Sequence, residues 1–90
     1  MAQKPKEQKH KLKRKGRALE MEDGSVVLVN EEEQGFKVDM VVAAIWYMCE
    51  GREEEEVCKE VASKSGMELE EVKPLVTAVV SKLKENKLVE

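Results

Sequence analysis

Half of this chain's basic residues sit in its first seventeen positions, and that partition decides how much of it can fold. Lys4, Lys6, Lys9, Lys11, Lys13, Arg14, Lys15 and Arg17 face Glu7 alone there, a local charge of +7. The other 73 residues hold eight basic and eighteen acidic side chains, a charge of −10. With Leu12 as an isolated leucine, the first stretch has too little apolar surface to offset the entropy of ordering it. Residues 1–17 are therefore expected to form a disordered basic arm, and residues 18–90 the folded domain. Such an arm could hold nucleic acid or an acidic partner. It could equally be a solubilising tail with no specific partner.

The chain is 41% hydrophobic and 39% charged, enough for one small core under a heavily charged surface. No run approaches the roughly 18 apolar residues of a membrane span, and Met1 to Arg17 lacks the apolar stretch of a secretory signal. Both point to a cytoplasmic protein with no membrane partner. Cys49 and Cys58 are too few for a disulfide framework and read as buried thiols. Together with His10 they fall short of the roughly four ligands of a zinc site. No metal or other cofactor is expected.

Residues 18–22 alternate apolar and acidic, the period of a half-buried strand. Asp23-Gly24 is a hairpin signal, and the β-branched run 25–30 returns as a second strand. Gly35 to Val38 is a third short strand by weaker patterning. Asp39 stands at an N-cap position before the apolar run 40–49. Its predicted inward face is Val38, Val41, Val42, Ile45, Met48 and Cys49, with Gly51 as the stop. Trp46 borders that face and is expected to be largely buried. A second helix opens on Glu53 to Glu56, acids that complement a helix N-terminus, and ends at Gly66. The third, about 70–86, carries the stripe Val72, Leu75, Val76, Val79, Val80 and Leu83. Pro74 requires it to start near Glu71 or to kink. Leu88 and Val89 would fold back to close the core. The fold class is α+β, a small N-terminal antiparallel sheet of two or three strands followed by three helices.

Catalysis finds no footing. There is no Gly-rich phosphate loop, no nucleophile beside a base, and no histidine within residues 18–90. The glutamates at 53–56 need no metal, being common helix-starting acids. The second and third helices have the proportions of a helix-turn-helix. A domain at −10 would be repelled by phosphates, and Glu68, Glu70 and Glu71 open the would-be recognition helix. Nucleic acid is thus not the expected partner, and a nucleic-acid-associated protein clamping through the arm is the alternative reading. If Gly35 to Val38 is an edge strand, its unpaired backbone groups can accept an extended peptide. Otherwise Phe36 and Val38 simply pack inward and the edge stays idle.

Val27-Leu28-Val29-Asn30, then Val38-Asp39, then the run from Ile45 through Trp46-Tyr47-Met48-Cys49 to Glu50-Gly51 resembles the PqqD-like family. These are the pyrroloquinoline-quinone biosynthesis D proteins and related precursor-peptide recognition domains. Residues 57–62 and 79–89 are similar to the family's second and third helices, so the resemblance covers about Leu19 to Val89. Asp39 stands where asparagine is usual, Glu50-Gly51 replaces Asp-Gly, and Asn86-Lys87 replaces a glycine-containing turn. The resemblance implies a winged-helix-like fold and a peptide-binding accessory protein rather than an enzyme. It implies that a precursor or leader peptide adds to the third strand beside the third helix. The peptide is then presented to a modifying enzyme, often a radical S-adenosylmethionine protein. Carried onto this chain, the peptide-binding residues are Gly35, Phe36, Lys37, Val38, Val72 and Val76.

Overall fold

The computed structural model describes residues 11–90. Three strands, β1 (Arg17–Glu20), β2 (Val26–Val29) and β3 (Gly35–Val38), precede three helices, α1 (Met40–Met48), α2 (Glu54–Ser65) and α3 (Leu69–Glu85). The sheet is antiparallel in the order β1-β2-β3, so the α+β architecture follows the sequence patterning. Its helix-facing side carries Ala18, Val26, Leu28, Phe36 and Val38; α1 packs directly on β2 and β3, and α2 and α3 complete the same core.

Both hairpins close through three-residue loops whose third residue is left-handed. In the first that residue is Gly24 (φ 91°), which has no Cβ to strain. In the second it is Glu33 (φ 66°). Arg17 holds Glu33 there through a two-pronged pair at 3.1 and 3.3 Å. Those hydrogen bonds, and then the guanidinium charge, keep the Glu33 carboxyl below the usual carboxylate range.

Asp39 caps α1 as expected, its carboxylate accepting the Val42 N–H at 2.9 Å. The buried side of α1 is Ala43, Ile45 and Trp46, whereas Val41 is exposed. Every residue of α1 is uncharged, so its sequence does not mark a solvent face, and packing chooses one instead. Helix α2 opens with the Glu56 carboxylate accepting the Glu53 N–H at 2.8 Å and ends at left-handed Gly66. Helix α3 begins at Leu69 and runs through Pro74 at its sixth position, where the Glu70 carbonyl loses its usual donor. Leu88 and Val89 are buried, as expected. Cys49 and Cys58 are free, buried thiols, and burial pushes the Cys49 thiol up to about 11.

The chain departs most from expectation before β1. Residues 11–16 do not hang from the domain as part of a disordered arm; they form a strap packed on it. Leu12 is 2% exposed and belongs to the core. Its N–H donates to the Arg52 carbonyl and its own carbonyl accepts from Gly51. Lys13 and Glu90 exchange two backbone hydrogen bonds at 2.8 and 2.9 Å, and the Lys15 N–H donates to the Leu88 carbonyl. Gly16 (φ 88°) turns the strap into β1, where a Cβ would overlap the Val29 carbonyl oxygen. One leucine suffices because ready-made backbone partners satisfy the strap's polar groups. The rest of the expected arm, residues 1–10, lies outside the described residues.

Candidate functional site

Strand β3 has β2 on one side and an open edge on the other. The Asn30 N–H donates to the Gln34 carbonyl at 3.0 Å, which fixes that pair as hydrogen-bonded. Antiparallel alternation then makes Leu28–Phe36 and Val26–Val38 bonded pairs, and Val29–Gly35 and Val27–Lys37 non-bonded ones. Gly35 and Lys37 therefore direct their N–H and C=O groups away from β2. Two donors and two acceptors line the open edge.

Beside this edge lies an open groove of about 430 Å³. Phe36 and Val38 form its strand wall, Val42 of α1 and Leu88 contribute apolar surface, and Ala78, Val79, Lys82, Leu83 and Asn86 of α3 form the facing wall. The lining is mostly apolar; Lys82 and Asp39 bring charge to it, and Lys37 borders it through its backbone, its side chain lying on the other face of the sheet. Asp39 is occupied with the α1 cap. Among the described residues, Lys37 and Lys82 enter no ion pair.

One end of the groove is pinned by Asn30, which is fully buried and uses its whole hydrogen-bonding capacity. Its amide donates to the Gln34 side chain and the Asn86 carbonyl, while its oxygen accepts from the Glu32 and Gln34 N–H groups. It ties the β2–β3 loop to the end of α3. There Lys87 (φ 62°) takes the left-handed position, and the Leu88 N–H reaches back to the Leu83 carbonyl at 2.8 Å. This closing motif ordinarily uses glycine. The Lys87 ammonium, 2.7 Å from Glu32, adds a second tie to the same loop. Leu88 is fixed from behind, since its carbonyl accepts both the Lys15 N–H and the Trp46 indole N–H at 2.9 Å.

Phe36, Lys37 and Val38 thus come together on the edge and groove, with Gly35 beside them on the same strand. Val72 and Val76 do not. Both are buried in the core, and neither lines the groove. The apolar stripe of α3 is wide enough to serve two surfaces. Val72, Val76, Val80 and Leu83 face the core, while Val79 and Lys82 sit beside them on the groove. Asn30 and Leu88 were not assigned to the site. A polar side chain ending a β-branched run, Val-Val-Leu-Val-Asn, is the signal that pointed to Asn30.

Comparisons with curated proteins and with solved structures return no match. A comparison with family profiles matches residues 25–89 to Coenzyme PQQ synthesis protein D (PqqD). That span begins just before β2, takes in the β3 edge, all three helices and Leu88, and covers more than half of the chain. On this match the chain belongs to the PqqD family, the synthesis proteins D of coenzyme PQQ.

Proposed function

We propose that this protein is a non-catalytic accessory protein that holds a precursor peptide as a fourth strand on β3 and presents it to a modifying enzyme. The observation that carries this reading is the pairing of outward backbone groups at Gly35 and Lys37 with an apolar groove next to them. Edge hydrogen bonds supply affinity without regard to sequence, and alternate side chains of the peptide enter the groove. PqqD membership favours a partner peptide and enzyme in coenzyme PQQ synthesis or related peptide modification, with a radical S-adenosylmethionine enzyme as the partner class. No helix among the described residues is long and apolar enough to cross a membrane, and we assign the work to the cytoplasm.

The nucleic-acid alternative gains no support from the strap. Arg14 lies over the Trp46 ring at 4.8 Å and pairs with Glu50, Lys15 is shared by Glu31 and Glu90, and Arg17 is held by Glu33. These charges are already matched locally.

Lys37→Pro tests the proposal. The Lys37 N–H makes no bond to β2, so proline there removes a donor from the open edge and leaves the sheet's own ladder intact. Binding of a synthetic precursor-peptide leader should weaken about tenfold, the scale of one lost hydrogen bond plus the ring's bulk, with circular dichroism unchanged. Phe36→Pro is the control, because its N–H points to Leu28 and its loss should damage the sheet. Full affinity in a folded Lys37→Pro protein would refute edge addition.

A further inference from the structure

The same edge geometry dictates what kind of peptide the groove selects, an inference that rests on the peptide-binding reading. Side chains on an added strand alternate between the sheet's two faces. Those opposite Phe36 and Val38 point into the groove, against Val42, Val79, Leu83 and Leu88. The one between them stands opposite Lys37 on the outer face of the sheet, because residues directly across a ladder share a face. Gly35, the other outward-facing position, presents no side chain, so it reads nothing there. Selection outside the groove falls to Lys37.

Lys37 is exposed and unpaired among the described residues, as is Lys82 on the facing wall. The folded part of this chain is otherwise rich in acids, most of its basic strap is matched to carboxylates, and the groove's own carboxylate, Asp39, is committed to the cap of α1. Among the described residues, Lys37 and Lys82 are thus cations without an ion pair on either side of the apolar channel, and Glu20, Glu22 and Asp23 share the outer-face hollow that Lys37 lines. A basic side chain opposite Lys37 would face a like charge, and an acidic one would complete a cross-strand pair.

We propose that the groove selects an extended segment of the pattern apolar–acidic–apolar, its two apolar side chains buried against Val79 and Leu83 and its carboxylate set opposite Lys37. Lys82 widens the preference by favouring acidic residues near the helix wall. The occupant is an acidic-flanked peptide.

Two fluorescein-labelled synthetic peptides, identical except for a central Leu-Asp-Leu or Leu-Lys-Leu, provide the test with the full chain. By fluorescence anisotropy at low salt, the Asp peptide should bind about five- to tenfold more tightly, twice the usual cross-strand charge effect. The gap should shrink as salt rises. Lys37→Glu, a change at an exposed strand position, should reverse the order, and Lys82→Glu should narrow it. Equal affinities for wild type, or an order that survives Lys37→Glu, would overturn the selectivity while leaving peptide binding intact. Amide-shift spectra of the same mixtures separate the two levels. If neither peptide moves the resonances of residues 35–38 and 79–86, the peptide-binding reading falls and this inference falls with it.

Discussion

Replacing Trp46 with alanine should cost about 3–5 kcal/mol of folding stability, the range for removing a large aromatic from a packed core. Trp46 is 3% exposed. Its ring is covered by the Arg14 guanidinium at 4.8 Å and meets Tyr47 edge-on at 5.2 Å. Its indole N–H is one of two donors on the Leu88 carbonyl. Alanine thus opens a cavity, frees Arg14 and loosens the groove's Leu88 at once. A domain of this size commonly has only about 5–10 kcal/mol in total, so urea unfolding should show a midpoint shifted by a large fraction. Trp46→Phe separates the contributions. It keeps most of the volume and loses the hydrogen bond, which should cost about 1–2 kcal/mol. An alanine variant within 1 kcal/mol of wild type would contradict the packing described.

Leu12→Ala should cost about 2–5 kcal/mol, an effect out of proportion to its setting among lysines and arginines. Burial sets the size of the effect. Leu12 is as enclosed as Leu83 of α3, both at 2% exposure. Its loss would also weaken the strap's hold on Leu88 and Glu90, so amide exchange at residues 88–90 should rise along with the global destabilisation. Lys13→Ala, on an exposed neighbour, should change stability by less than about 0.5 kcal/mol. If Leu12→Ala unfolds at the same urea concentration as wild type, the strap is not part of the domain.

The strap shows where sequence reasoning stopped short. Averaged over seventeen positions, the basic stretch has the composition of a chain that cannot fold alone. Residues 11–16 do not fold alone; they borrow partners at Gly51, Arg52 and residues 88–90. The local signal was Leu12 set between exposed Lys11 and Lys13, followed by a glycine at position 16. Elsewhere the local chemistry was legible. Asp23-Gly24 marked the hairpin, Asp39 the helix cap, and Gly66 the end of α2, each because one residue type satisfies one backbone need. What no local pattern fixed was which side of an apolar element faces which neighbour. That ambiguity hid the exposure of Val41 on uncharged α1. It also placed Val72 and Val76 in the groove when they belong to the core.

The proposed function requires the peptide to add to the open edge of β3. Amide chemical-shift mapping of the full, isotopically labelled chain titrated with a synthetic precursor-peptide leader examines this directly. The largest shifts should fall on Gly35 and Lys37, whose N–H groups gain partners, and on Val79 to Asn86, with Leu88 following. Residues 54–65 of α2 should stay nearly unmoved. Shifts concentrated instead on the outer edge of β1 at Ala18 and Glu20, on the strap, or on the Glu53–Glu56 turn would contradict the account and place the binding surface elsewhere on the domain.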